Sequence, residues 1–302
     1  MDTAPQVSPE LEVGPIRDLP AEQVLRAIRL VTRGQVLPLA APRFRGMPLF
    51  PGHPNFEVLG FRTPRGIRVA GDQPWGPRND VGLGYMSEVV SGTMHSGAHI
   101  DALAHITIGP DAHWYAGATA DEFCGDFGPT RGDGAKLPPI VTRGVLLDVP
   151  TYRGLDALPR GEPVSGDELA AVARAQGVAV QQWDVVLIRT GYMRFWPDVE
   201  QMRAHLTAGP DPTAAQWLVE RGVVATGSDT ETYEVQPTNL PGTPHNPQPV
   251  HAQLLIEHGI YIMESLDLEE AARNRAYEFL FVALPLKIAG TTGSMIDPVA
   301  IL

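Results

Sequence analysis

Apolar positions recur at helical spacing between residues 20 and 33, which predicts an amphipathic helix after a polar, proline-containing arm over residues 1–19. Residues 36–83 show no such period; rich in Pro, Gly and Arg, they predict loops with short extended pieces. Further on, short apolar runs alternate with helical patterns. Residues 144–149 and 184–190 are nearly continuous apolar runs, as expected of strands buried on both faces. Ser165 and Glu168 form a capping box for a helix through about Gln176. Asp211-Pro212 opens another helix, with Asp as cap and Pro in the first turn, that ends near Gly222. Val223–Thr226 predicts a short strand leading into Gly227-Ser228-Asp229. A Pro-rich loop spans 232–248, Pro249 starts a helix that stops at Gly259, and Ile260–Met263 forms a strand ending at Glu264. Phe279–Ala283 and Leu286–Ala289 predict a closing strand pair.

This alternation, without repeats, low-complexity blocks or a separating linker, predicts one α/β domain over residues 36–302 behind an N-terminal arm and helix over residues 1–35. The 302 residues suffice for a sizeable core without staples. The single cysteine, Cys124, excludes an intrachain disulfide and any cysteine-cluster metal site. A net charge of −12 argues against nucleic acid as a partner. No apolar run is long enough to span a membrane, and residues 1–10 lack a basic-then-apolar leader, so a cytoplasmic protein is expected.

The chemistry concentrates in Met94–His105, where His95, His99, Asp101 and His105 share eleven otherwise small or apolar residues. Imidazole and carboxylate suit a divalent ion such as zinc, manganese or iron, and Gly97 lets the backbone pass close to it. An extended chain would put His95, His99 and Asp101 on one face, whereas a helix would swing Asp101 away. Two further ligands are expected near the C-terminus: His251, in the first turn of its helix, and Glu264, directly after a buried strand, where a carboxylate needs a partner. Asp229 and Glu231 are candidates to support the histidines from behind. His245 is placed near the site, His205 and His258 on exposed helix faces, and His113 either on a pocket wall or in a surface turn.

Read as H-S-G-A-H-I-D-A-L-A-H, the cluster resembles the H-T-G-T-H-x-D-x-P-x-H signature of the cyclase family of metal-dependent hydrolases, which includes bacterial kynurenine formamidase and isatin hydrolase. Residues 47–54 (M-P-L-F-P-G-H-P) resemble its P-x-W-P-G-D-P element, and residues 186–191, 250–266 and 277–294 are similar to later blocks, the last two most like the longer-chain members. The resemblance runs from about residue 36 to the end. It implies a single α/β domain with a central β-barrel-like mixed sheet flanked by helices, a homodimer, and zinc or manganese as one or two ions. By position it implies His95, His99 and Asp101 as ligands of a first ion, and Asp101, His251 and Glu264 as ligands of a second. It makes His105 the acid/base, and Phe50 the counterpart of a substrate-contacting Trp. Ser96, Ala98, Leu103 and Phe50 depart from the family pattern, as does the Gly227–Glu231 stretch where formamidases carry S-x-D. These departures leave the metal chemistry intact and point away from formylkynurenine as substrate.

Residue chemistry leads to the same reaction. A divalent ion lowers the pKa of a bound water from 15.7 towards ~7, and a nearby non-ligating histidine carries protons in both directions. His105, four residues beyond the ligand cluster, is the candidate. Hydrolysis of an amide, cyclic amide or lactone is expected, with Phe50, Trp114 and Tyr115 as walls for a planar or aromatic small molecule. Two other classes stay open. His99-x-Asp101 with His251 has the shape of a 2-His-1-carboxylate iron oxygenase, and a non-catalytic metal-stabilised binding protein would also use such ligands.

Overall fold

The computed structural model describes residues 13–75, 78–202, 206–238 and 245–302; His205, the first twelve residues of the expected arm and positions 239–244 of the Pro-rich loop lie outside them. Among the described residues, nine strands form one mixed sheet. In chain order they are β1 (Val36–Pro38), β2 (His99–Asp101), β3 (Ile140–Asp148), β4 (Val185–Arg189), β5 (Ala225–Ser228), β6 (Tyr261–Glu264), β7 (Glu278–Ala283), β8 (Gly293–Met295) and β9 (Val299–Ile301). Their spatial order is β1-β9-β7-β3-β4-β5-β6-β2-β8. The central four, β3 to β6, run parallel, and the outer strands on both sides pair antiparallel.

The parallel centre follows from composition. Val185–Arg189, Ala225–Ser228 and Tyr261–Glu264 are buried at every position, as a sheet covered on both faces requires. The sheet curls into a half-barrel flanked by helices, the expected α/β class. The helices begin where their caps place them: Ser165 accepts from the Glu168 N–H at 3.2 Å ahead of Gly166–Gln176, and Asp211 accepts from Thr213 and Ala214 ahead of Pro212–Glu220. Pro249–His251 is α-helical and opens into a wider π turn over Ala252–Glu257 before Gly259 ends it. No helix of the described residues is long and apolar enough to cross a membrane.

Two expectations are corrected. Leu286–Ala289 is not a strand: Pro285 offers no donor, and Leu284, Leu286 and Ile288 are exposed on an unpaired crossing. The closing partners of Glu278–Ala283 are instead Ile140–Asp148 and Val299–Ile301. The short extended pieces expected over residues 36–83 are present as β1 and as a strand Glu57–Arg62 that pairs with Ser87–Ser91, but the same stretch also holds a helix, Pro64–Ala70 capped by Thr63, whose Thr-Pro start was the signal available in the sequence. The described part of the arm is docked, with Ile16 buried and the Tyr261 hydroxyl donating to the Val13 carbonyl at 2.7 Å.

Candidate metal centre

Strand β2 lies between β6 and β8, and its register builds the centre. His99 pairs with Glu264 on one side and with Met295 on the other. Because side chains alternate along a strand, His99 and Asp101 project to one face while Ile100 is buried on the other. His95 arrives from the preceding loop, which turns at Gly97 with φ 58°, a left-handed conformation that favours glycine. Behind this loop the Arg43 guanidinium donates to three backbone carbonyls, those of Ser96 (2.8 Å), Ala98 and Ile296 (3.1 Å). Ser96 and Ala98 flank Gly97, so one side chain fixes the path of the ligand segment.

Asp101 is at the centre and fully buried. Its Oδ1 lies 2.9 Å from His95 Nδ1, 3.6 Å from His99 Nε2 and 3.9 Å from His105 Nε2, and its Oδ2 lies 3.7 Å from His251 Nε2. Glu264 closes the ring, 3.2 Å from His99 Nε2 and 3.1 Å from His251 Nε2. The donors form two groups, His95–His99–Asp101 and Asp101–His251–Glu264, each within 4.8 Å of one another. Asp101 belongs to both.

Hydrogen bonds behind the ring aim its nitrogens inward. His99 Nδ1 lies 2.8 Å from the Gly97 carbonyl, which can only accept, so His99 Nε2 is left as the inward lone pair. His95 Nε2 lies 3.0 Å from Thr292 Oγ1. His251 Nδ1 faces Glu234 Oε1 at 2.6 Å, and Glu234 also accepts from the backbone N–H groups of Val250 and His251.

The centre fits a divalent cation on its own chemistry. His95 Nδ1, His99 Nε2 and both Asp101 oxygens are buried without a hydrogen bond, although they approach one another closely. Each such group left unsatisfied costs about 1–3 kcal/mol, a cost that shared coordination removes. Electrostatics agree. Burial pulls His251 and His99 down, but the adjacent carboxylates (Glu234 and Glu264 for His251, Glu264 and Asp101 for His99) outweigh it and hold both above the ordinary histidine value. Burial pushes Asp101 and Glu264 up, but the surrounding imidazoles outweigh it and hold both below the ordinary carboxylate range. Positive charge is therefore favoured at this point, whether as protons on imidazole or as a metal ion bound in their place.

A cavity of 340 Å³ opens over the centre. His105 is on its wall, stacked on His95 with ring centroids 4.1 Å apart and its side chain 19% exposed. Phe50, 38% exposed, lines it, as do His53 and Glu231. The other expected wall residues are elsewhere. Trp114 is buried beside Ala104 and Ala118, and Tyr115 packs against Gly259 and the main core, so apolar packing takes both rings away from the cavity. Asp229 does not support the histidines. It accepts from Thr190 N and Oγ1, Gly191 N and Tyr192 N, and so holds the loop after β4. His113 sits in a surface turn against Asp111, while His245 is exposed and outside the cavity lining and His258 is half-buried. Sequence reasoning missed Glu234, Arg43 and His53. His53 had a signal, since it stands in the P-G-H-P stretch; the other two act across 17 and at least 53 positions and had none.

Comparison with solved structures matches a novel cyclase at 26% identity, covering 96% of this chain and 94% of that one, with a TM-score of 0.83. Isatin hydrolase A from Ralstonia solanacearum matches at 19% identity over 99% of both chains (TM-score 0.64). Isatin hydrolase A from Labrenzia aggregata, bound to benzyl benzoate, matches at 19% over 89% and 94% (TM-score 0.63). These two likenesses bear on the fold. No curated protein sequence matches. The family model described as "Putative cyclase" matches residues 37–235, which holds the His95–His105 cluster and well over half of the chain. This chain belongs to the cyclase family.

Proposed function

We propose that this protein is a metal-dependent hydrolase that cleaves an amide, cyclic amide or lactone bond in a small planar or aromatic molecule. The observation that carries the reading is the position of Asp101. Its two unsatisfied oxygens face two ligand groups at the floor of an open cavity whose wall holds a histidine outside both groups. Structural metal sites are closed by protein ligands, so an open cavity favours catalysis over a merely stabilising ion. The nitrogen and oxygen donors suit zinc or manganese, held as one ion by His95, His99 and Asp101 or as two with His251 and Glu264. When bound, such an ion supplies Lewis acidity and a water acidic enough to attack at neutral pH.

The chain's own residues do the rest. Burial lowers His105 to about 4, so its imidazole is neutral at pH 7 and can take a proton from the attacking water. As water adds to the acyl carbon and the bond to nitrogen or oxygen breaks, His105 returns that proton to the leaving atom. Phe50 offers a face for a flat substrate. The exposed ribbon Glu57–Arg62/Ser87–Ser91, with Phe61 69% exposed, supports assembly as a homodimer, since a two-stranded ribbon is marginal alone.

Elemental analysis of the purified protein, with hydrolysis of N-formylkynurenine, isatin, a cyclic imide and an unsaturated lactone with and without chelator, tests the reading. Bound zinc or manganese with chelator-sensitive turnover is expected. Folded protein that takes up no divalent ion under any reconstitution would overturn it.

A further inference from the structure

The cavity wall divides by the donor group it stands over. The rings of His53 and His105 stack on His95, with centroids 5.3 and 4.1 Å away, so aromatic faces flank the first group. Around the second group the wall offers neutral hydrogen-bonding side chains. Gln248 opens the turn that holds His251, and Ser265 directly follows Glu264. These two arms meet where His251 Nε2 stands 3.1 Å from Glu264 Oε1. Both residues are fixed through their backbones. The Gln248 N–H donates to Asn246 Oδ1 at 2.9 Å, its carbonyl accepts from the Ala252 N–H at 3.1 Å, and Pro249 follows. Ser265 leaves β6 with φ 54°, a left-handed conformation that costs a residue with a side chain, and its N–H donates to the Thr230 carbonyl at 2.8 Å. Their side chains, both half-buried on the cavity wall, make no hydrogen bond to any described residue.

What such a wall recognises follows from its side chains. The Gln248 amide presents an acceptor, Oε1, and a donor, Nε2, in one plane, a fixed pair that matches an N–H beside a C=O on a ring. The Ser265 hydroxyl rotates between donor and acceptor, so it accommodates either partner and does not select. In the hydrolase reading the carbonyl under attack faces the metal centre, where the divalent ion offsets the charge that develops on it. Recognition of the rest of the substrate then falls to wall groups free of protein partners. A cyclic imide, a ring containing CO-NH-CO, still has an N–H and a second carbonyl for Gln248 once its first carbonyl is committed. A lactone has no N–H, and an N-alkyl imide brings a methyl group to Oε1 where a proton is needed. Either one leaves that acceptor unpaired on a half-buried wall. The reaction balances: water adds to one carbonyl, the C–N bond breaks, the proton taken by His105 passes to nitrogen, and a carboxylic acid and a primary amide result.

We infer that Gln248 is a specificity-determining residue that selects cyclic imides with a free N–H over lactones and N-substituted imides. The catalytic half of this inference rests on the hydrolase reading; the binding half does not. The test uses metal-loaded full-length protein and three flat bicyclic compounds of one ring size: phthalimide, N-methylphthalimide and the lactone phthalide. Each rate is divided by that compound's uncatalysed hydroxide rate. Binding of the two imides is measured by calorimetry on the His105→Gln protein, in which turnover is slowed. The expected result is a normalised kcat/KM for phthalimide about tenfold or more above those of the other two, the scale of two neutral hydrogen bonds lost together. Calorimetric affinity should rank the two imides in the same order. Q248L should bring them within about threefold of each other while keeping the wild-type metal content. If no compound is hydrolysed, tighter binding of phthalimide that Q248L abolishes upholds the inference while the hydrolase reading fails. N-methylphthalimide or phthalide turned over as well as phthalimide, no binding of phthalimide, a preference that Q248L leaves intact, or loss of metal in Q248L overturns it.

Discussion

Glu234 Oε1 stands 2.6 Å from His251 Nδ1 and accepts the backbone N–H of the same residue at 2.9 Å, while Oε2 takes the N–H of Val250 at 3.0 Å. Both side chains are buried. One carboxylate thus caps the first turn of Pro249–His251 and fixes the tautomer that leaves His251 Nε2 facing Asp101 and Glu264. Replacing Glu234 with Gln keeps the volume but removes the charge that holds the imidazole. Groups in this position typically govern metal affinity by ~10–100-fold. The E234Q protein is expected to fold and to lose affinity on that scale in a competitive chelator titration. Wild-type affinity in a folded variant would show that the pair is structural only.

Arg43 makes a second claim testable. Its three hydrogen bonds to carbonyls on either side of Gly97 and on Ile296 come from a charged donor, each worth ~1.5–3 kcal/mol and not additive. Lysine keeps the charge but not the planar fork. Arg43→Lys is therefore expected to lose roughly 2 kcal/mol of stability in denaturant unfolding of the apoprotein, and to weaken metal binding through His95. Unfolding midpoints that coincide with wild type would contradict this role.

The division between what the sequence shows and what it hides follows distance along the chain. His95, His99 and Asp101 are legible because a strand's alternation is local, and because four donors in eleven residues leave few other uses. Glu264 and His251 are legible as a carboxylate at a buried strand's end and a histidine in a proline-started turn. Their meeting with Asp101 is not legible, since it depends on the antiparallel register of β6 with β2. Trp114 and Tyr115 mislead for the opposite reason: aromatic side chains near a site are read as walls, but burial against Ala118 and Gly259 was the stronger demand. The exposed ribbon escaped because its apolar side chains are on the outside, where no alternation marks a buried face.

Away from the site, Asp184 offers a test of burial set against a nearby charge, that of Arg143 3.8 Å away. It is 3% exposed, accepts from the Gln181 N–H at 2.7 Å, and burial pushes it up to about 6. Because its folded value lies above the ordinary 3.8, the native state holds the proton more tightly than the unfolded chain. Stability from this group is present below about pH 4 and is lost as pH rises through about 6. Asn keeps the acceptor without the charge. Asp184→Asn is expected to exceed wild type by about 3 kcal/mol at pH 8, with the gap closing by pH 4. A constant difference across that range would assign it to packing instead.

His105 carries the sharpest kinetic prediction. Its ring stacks on His95, its Nε2 lies 3.9 Å from Asp101 Oδ1, and burial, against the opposing charge of Asp101, lowers it to about 4. The neutral imidazole is the working form for accepting a proton, and it persists down to that value rather than to 6.5. The acid limb of kcat/KM assigned to this residue should accordingly fall well below 6.5, with metal content measured at each pH to separate it from protonation of the ligand histidines. His105→Gln should remove the limb along with ~10²–10⁴ of the rate, the usual contribution of an acid/base group. Because His105 belongs to neither donor group, the variant should retain the wild-type metal stoichiometry. Loss of metal along with activity would instead make His105 a ligand, and the proton carrier would then have to be sought on another wall of the cavity, where His53 is the remaining imidazole.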